Sequence, residues 1–395
     1  MKKTFFLITL AALMGCQNSH QKSVDTIVTE KGDSLISLTI DGNKIPGYPL
    51  DSLVDDVKFV RLQTDDNYLI GNINQFICTG ERIFIMDREI ANAVYCFDMQ
   101  GRFLTQYGST GDGPYEYIRL CNMALSTDKK RLIIADWAGK LLYYDFAGNV
   151  VKTSRIPFDK FSFNMIEVIG KDTIVGFTDE GMAIEENKPM LTVAETDHWN
   201  ILYRTLPSYQ TALFHLCNGM FPLRKFGDEL YLKKPWTESF YKVNKNNCSQ
   251  VLHLDIEGGG YPEITDDING DTYVELLNRT ITLNDYFFGK DISMFLFSVP
   301  NSWKRLVTYS HKDGTLRQFN GSYTNPLFNF YSAKNTPLVR HADDTYVVQY
   351  SASDVLSKKK RIYNDPLIMD KDLEKLYDNL KEDDNPILFF YHLKN

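Results

Sequence analysis

Short apolar runs broken by polar turns set the rhythm of this chain. Between Asn72 and Tyr117 it carries INQFICTG, ERIFIMDRE, NAVYCFDMQ and GRFLTQYGSTGDGPYEY in succession. Each of the first three pieces is a run of apolar and aromatic β-formers closed by a polar or glycine-containing turn, and none has apolar residues at helical spacing. The pattern predicts four consecutive strands with tight links. One such sheet cannot cover both of its faces, so repeats of the unit are expected.

The repeats are present. Taking Arg82–Asp87 (RIFIMD) as a marker for the second strand, similar runs begin at Arg131 (RLIIAD), Asp172 (DTIVGF), Asp228 (DELYLK), Asp291 (DISMFLF) and Asp344 (DTYVVQ). Six markers at irregular intervals fit propeller blades with insertions in their loops. A third strand follows each marker, from Ala93, Lys140, Met190, Ser239 and Lys304 in the first five. Gly101, Gly148 and Gly314 fall at one place in the next turn, where a hairpin needs positive φ. The sixth unit is incomplete, because its third strand arrives only at 386–394 and the chain then ends. Val57–Leu62 supplies the missing outer strand, and pairing it with Ile387–Leu393 would close the ring and remove an open edge. The fold expected is all-β: a six-bladed β-propeller of four-stranded antiparallel blades, closed by N-terminal strand pairing. One short helix is expected in the insertion 351–385, at 370–381, where Leu373, Leu376, Tyr377 and Leu380 have helical spacing and Asp370 can cap.

The order IGNINQF, RIFIMD, YCFDMQGRFL and GDGPYEY, ending in EDDNPILFFYHLK, resembles the six-bladed, NHL-like β-propeller lipoproteins common in Bacteroidetes-type bacteria. The likeness runs from about Ile36 to the end. Its most specific pieces are Gly111–Tyr117 and Asp383–Leu388. The usual form of the first is closer to GxGPGEY, and Tyr115 here replaces the middle glycine. The resemblance implies a fold and an address and brings no established activity. Calcium-dependent lactonases and NHL-type interaction modules share the six-bladed fold, as analogies only.

The N-terminus reads as an address. Lys2 and Lys3 precede an apolar stretch from Phe5 to Met14, too short to span a bilayer, which needs about 20 residues. Leu13-Met14-Gly15-Cys16 then resembles a lipobox. Residues 1–15 are therefore expected to be a lipoprotein signal peptide, with lipidation at Cys16, a polar tether over 16–34 and the propeller over 35–395. The expected location is the cell envelope, anchored in the outer membrane. The periplasmic side is favoured because residues 17–22 lack an acidic cluster. Asp25-Thr26-Ile27, Asp33-Ser34-Leu35 and Asp51-Ser52-Leu53 fit a bacterial O-glycosylation triplet.

Composition narrows the function classes. The 395 residues include 25 Phe and 23 Tyr, enough to fill the spaces between several sheets, so disorder is excluded. A net charge of −8 and no basic run longer than Lys358–Arg361 argue against nucleic acid. Of six Cys, none forms a CxxC pair. Cys78 and Cys96 lie in strands with another strand between them, about twice the 4.8 Å strand spacing apart and too far to bridge. The thiols other than Cys16 are expected to be free, buried and small-hydrophobe-like.

No P-loop, GxSxG, HExxH or EF-hand motif occurs, and no two histidines have metal-ligand spacing. The segment Gly111–Tyr117 reads either as a tight crossover between blades or as a loop presenting Asp112 and Glu116 toward the central channel. Trp137, Trp236 and Trp303 all follow the second strand of their blades, so their turns emerge on one side of the disc together with the crossovers. Each ring can plug its own blade edge, or the three can form an aromatic recognition face. Lys140, Lys234 and Arg305 lie close to them, which suits an acidic or neutral glycan or an acidic protein loop. The candidate ligand-binding residues are Trp137, Trp236, Trp303, Asp112 and Glu116, with no metal and no cofactor expected. Two function classes follow. One is a lipid-anchored, non-catalytic, monomeric propeller that binds a glycan, a peptide or an envelope protein through one loop face. The alternative is a lactonase-like, metal-dependent hydrolase or lyase, with calcium in the channel held by acidic and amide side chains from several blades.

Overall fold

The computed structural model describes residues 24–28, 34–41, 52–178, 189–207, 222–263, 270–300, 305–319, 344–359 and 370–394. Two strands, β1 (Val24–Val28) and β2 (Ser34–Asp41), form a hairpin, and β3 (Val54–Arg61) follows. Blade one is β4 (Gln75–Cys78), β5 (Arg82–Asp87), β6 (Ala93–Asp98) and β7 (Phe103–Gln106). Blade two is β8 (Leu120–Leu125), β9 (Arg131–Asp136), β10 (Lys140–Asp145) and β11 (Val150–Arg155). Blade three is β12 (Met165–Val168), β13 (Thr173–Phe177), β14 (Pro189–Glu195) and β15 (Asn200–Pro207). Blade four is β16 (Leu223–Phe226), β17 (Glu229–Lys233), β18 (Ser239–Val243) and β19 (Cys248–Glu257). Blade five is β20 (Thr282–Phe288), β21 (Ile292–Ser298), β22 (Arg305–Ser310) and β23 (Leu316–Phe319). Blade six is β24 (Thr345–Tyr350), β25 (Ile387–Leu393) and β3. Within each blade neighbouring strands are antiparallel. A first strand for blade six would fall on 320–343, outside the described residues.

The burial pattern explains the sequence pattern. The second and third strands of blades one and two are buried along almost their whole length, because neighbouring blades cover both faces. The outer strands β7 and β15 alternate, since one face meets solvent. A register shift recurs between the third and fourth strands of blades one to four, a bulge that adds twist where each blade splays outward. Gly101, Gly148 and Gly314 have φ of 80°, 94° and 71°, as the hairpins demand. At Gly101 a Cβ would also lie 1.8 Å from the Arg61 carbonyl oxygen, so the turn is docked against β3.

Ring closure uses the expected strand pair. β3 runs antiparallel to β25, with Phe59 opposite Phe389 and their rings 6.1 Å apart. Asn385 latches the seam. Its carboxamide oxygen accepts from Ile70 N, its Nδ2 donates to the Gln63 and Tyr68 carbonyls, and its own N–H donates to Thr64 Oγ1. This is the physical work of the segment Asp383–Leu388.

Two features differ from expectation. Three short helices are described rather than one: α1 (Gly270–Leu277), α2 (Ala352–Ser357) and α3 (Asp370–Tyr377). In α1 only Tyr273 is fully buried, so no apolar stripe marked it in the sequence. Asp370 lies within α3 instead of capping it. The second difference is at the N-terminus, where β1 lies in the stretch read as a tether. The β1–β2 hairpin adds to the outer edge of blade four, with β2 parallel to β19 from Ile36↔Leu252 to Asp41↔Glu257.

Candidate functional site

The last residue of the second strand organises one face of the disc. Asp87 ends β5 and is fully buried. Its Oδ2 accepts from Gly71 N at 2.8 Å and Asn72 N at 3.0 Å, and its Oδ1 accepts from Ile90 N at 2.9 Å. One carboxylate therefore shapes its own turn and pins the crossover arriving from blade six. Asp136 ends β9 and repeats the device, taking Lys140 N at 2.7 Å and Ile118 N at 3.5 Å. Asn92, with φ of 46°, ties the two turns together, since its side chain bonds Thr110 Oγ1, the Ile118 carbonyl and Leu120 N.

Between these pins lies Gly111–Tyr117. Gly111 N donates to Tyr117 O and Tyr117 N to Ser109 O, which closes the loop on itself. Glu116 uses its carboxylate within the loop, accepting from Gly113 N at 2.8 Å. A Cβ at Gly111 would sit 2.1 Å from Glu116 Oε2, so the glycine makes room for that carboxylate. Lys140 is buried, and its ammonium donates to the Gly113 and Glu116 carbonyls at 2.8 and 2.6 Å. Asp112 stands exposed at the tip. The segment is thus a built crossover. Lys140, a cation set beside Trp137 in the sequence, is spent on its backbone.

What this face presents is apolar. Five of the nine large apolar side chains exposed among the described residues lie on its sector from blade one to blade three: Leu69, Ile90, Tyr115, Ile118 and Phe158. Ile90 is 70% and Tyr115 60% exposed. Leu69, Tyr115, Ile118 and Phe158 are on blade-to-blade crossovers, and Ile90 is on the turn after β5. Gly71 packs directly on Ile90, and Gly139 on Phe158, which joins crossover to turn in blades one and two. The exposed charges around them are mainly carboxylates, Asp65, Asp66, Glu89, Asp112 and Asp159, against Arg119 and Lys160. Sequence reasoning passed over these apolar positions. A signal existed in Ile90, an isolated apolar residue inside the polar turn REIAN, and in Tyr115, an aromatic where the motif's usual form has glycine.

The tryptophans are seated in the protein. Trp137 is half-buried and packs on the core cluster that includes Ile133, Leu141 and Phe161. Trp236, at φ 55°, meets Tyr261 and Tyr273 edge-on at 6.0 and 5.3 Å, and its indole N–H is buried without a hydrogen-bond partner. Trp303 and Cys16 lie outside the described residues.

At the ring axis each of five first strands carries one buried polar side chain: Gln75, Asn122, Glu167, Arg224 and Asp285. Gln75 bonds Met123 N and O of the next blade, and Asn122 accepts from Ile166 N of the blade after it. Arg224 reaches Asp285 at 2.6 Å and donates to the Tyr286 carbonyl. Acidic and amide groups do converge here, as the channel alternative requires. They are engaged in stitching first strand to first strand, and a guanidinium already neutralises Asp285. Among the described residues no three His, Cys, Asp or Glu side chains are grouped as a metal would need.

A family model covers residues 37–392, nearly all of this architecture. The chain belongs to the family described as a domain of unknown function, DUF4934. No curated protein matches the sequence. Among solved structures, a presumed exported protein of Bacteroides fragilis superposes with a TM-score of 0.71 at 18% identity, covering 91% of this chain and 100% of its own. A DUF4221 family member from Bacteroides vulgatus superposes with a TM-score of 0.54 at 10% identity, covering 87% and 97%. At these identities the likeness is one of fold. It places this DUF4934 chain among β-propellers.

Proposed function

We propose that this DUF4934 protein is a lipid-anchored envelope propeller that docks a partner protein on the crossover face of blades one to three. The observation that carries the reading is the row Leu69, Ile90, Tyr115, Ile118 and Phe158, exposed on loops that Asp87 and Asp136 hold in place. Preorganised apolar side chains on a rigid face lose little entropy on binding. Carboxylates around the row favour a partner whose contact surface is apolar with a basic margin. The envelope address rests on Lys2, Lys3, the apolar stretch 5–14 and Cys16, and the word exported in the name of the Bacteroides fragilis neighbour supports it.

The test is site-specific photo-crosslinking in intact cells, with the photoreactive residue at Ile90 or Ile118 and, as control, at Leu202 on an outer strand. A discrete protein adduct is expected from the first two positions and not from Leu202. With the probe in place, Leu69→Asp together with Tyr115→Asp should abolish it while the melting temperature stays unchanged. Purified adduct partner should bind more weakly as salt rises. Equal adducts from all three positions would overturn the reading. Glycan binding lost on Trp137→Ala with no protein adduct would give the face to a sugar instead.

A further inference from the structure

A separate cleft of about 510 Å³ opens between blades four and five, on the side of the disc opposite the crossover face. The turns after β16 and β20 border it, Phe226, Leu252, Phe288 and Phe295 give it apolar walls, and Lys290 and the Glu229–Lys242 ion pair line it too. Ser293, on β21, lines the cleft although it is only 4% exposed. His311 follows β22 and reaches back along the same face of the blade, so that its Nε2 lies 2.7 Å from Ser293 Oγ. Its other ring nitrogen, Nδ1, lies 3.0 Å from the Lys290 carbonyl oxygen. The His311 backbone is held in the ladder as well, its N–H donating to Asp291 O.

These contacts fix the tautomer. A carbonyl oxygen only accepts, so Nδ1 carries the hydrogen. In the neutral ring Nε2 is then a bare lone pair, and the Ser293 hydroxyl must donate to it. That is the arrangement of an activated nucleophile: hydroxyl, base within hydrogen-bond reach, and a third group that orients the base. Here the third group is a backbone carbonyl.

We propose that Ser293 is a nucleophile, with His311 as its general base, acting on an ester whose acyl body is apolar or aromatic and fills the cleft. Ser293 Oγ attacks the ester carbonyl carbon and its proton passes to His311 Nε2. The same proton leaves with the alcohol as the ester C–O bond breaks. Water, deprotonated by Nε2, then cleaves the acyl–serine bond, releases the acid and restores the hydroxyl. No metal or redox partner enters. The site shares no residue with the crossover face, so it stands or falls independently of the docking reading.

The probe is an alkyl fluorophosphonate on the intact protein, read by mass spectrometry. Oγ displaces fluoride from phosphorus, and a stable adduct is expected on the peptide containing Ser293. Ser293→Ala should remove that adduct. His311→Gln should slow its formation by about 100-fold or more, the usual contribution of a general base. Ser154→Ala, on β11 of blade two and outside the cleft, should label at the parental rate. Absence of a Ser293 adduct on the folded parent, while a control serine hydrolase reacts, overturns the proposal. Labelling of folded His311→Gln at the parental rate does so too. Because the parental reaction alone decides the first outcome, a variant that fails to fold does not protect the idea.

Discussion

Blades one and two end their second strand on aspartate, and blade four ends it on Lys233. A carboxylate at that place collects backbone N–H groups, and Asp87 gathers three of them from its own turn and the incoming crossover. An ammonium has nothing to offer an N–H. Fully buried, Lys233 instead lies 4.4 Å over the Tyr261 ring and 3.2 Å from its hydroxyl. Glu238 joins this group, accepting from Tyr261 N, and burial raises its carboxyl above the usual range. Trp236 then packs edge-on against Tyr261, and Tyr273 of α1 packs edge-on against Trp236. The same strand end therefore yields short, pinned loops with apolar tips in blades one and two. In blade four it yields a wrapped aromatic layer whose only exposed large apolar side chain among the described residues is Leu276 of α1, at 36%. On the docking proposal, the identity of one buried residue selects which part of the face is offered to a partner.

The comparison is broken most directly at its two pins. Asp87→Ala strands three backbone donors, one or more of them away from water, and should cost about 3 kcal/mol, since each unmet buried group costs about 1–3 kcal/mol. Lys233→Met keeps the apolar contact with Tyr261 but takes the cation away from Glu238; that carboxyl, already held above the usual range by burial, can take up a proton, so the loss should stay smaller, about 1–2 kcal/mol. Urea unfolding of both variants measures this, and equal losses would mean that the two ends do equivalent work. Asn385→Ala acts on the same crossover as Asp87, through Ile70 N. The double variant should therefore lose less than the sum of the singles.

Much of this was legible from periodicity. Each second and third strand lies between neighbouring blades, so its apolar run is unbroken and the six markers stand out. The unmatched strand at Val57–Leu62 could only belong to the seam, and β3 does pair there. What stayed hidden depends on contacts between blades. Nothing local shows that Lys140 will be buried under Gly111–Tyr117, or that Ser293 and His311 will meet across a strand pair. Helix α1 escaped because it buries one ring. The N-terminal hairpin escaped because its partner strand is more than 200 positions away and its first strand, VDTIV, is a short run set in a polar stretch.

A smaller effect sharpens the contrast at the aromatic layer. The Trp236 indole N–H is buried without a partner, and Trp137 sits half-buried on an apolar cluster. Trp236→Phe removes the unmet donor and keeps an aromatic ring against Tyr261 and Tyr273. Relief of roughly 1–3 kcal/mol for an unmet group offsets most of the lost ring area. The expected net change is within about 1 kcal/mol, read from the urea midpoint. Trp236→Ala loses the edge-on contacts as well and should cost about 3 kcal/mol or more. If Phe is as damaging as Ala, the indole N–H has a partner in solution and the layer is organised by it.

The smallest effect asks whether blades two and four, so different at their turns, are equally tight in their sheets. Cys121 on β8 and Cys248 on β19 are both free thiols. Burial pushes each up to about 12. A raised thiol value means that the folded protein favours the neutral form, so the thiolate that alkylating reagents require is scarce at neutral pH. The stabilisation that goes with it is complete below the unfolded thiol value of about 8.5 and is lost as pH rises from there toward 12. Iodoacetamide at pH 8 should therefore leave both residues unmodified in the folded protein and modify both in urea, with rates about a hundredfold or more apart. Peptide mass mapping over time reads the two sites separately. Fast labelling of Cys248 alone would show that blade four, with its added N-terminal hairpin, opens locally, and that its wrapped turn does not stiffen the sheet beneath it.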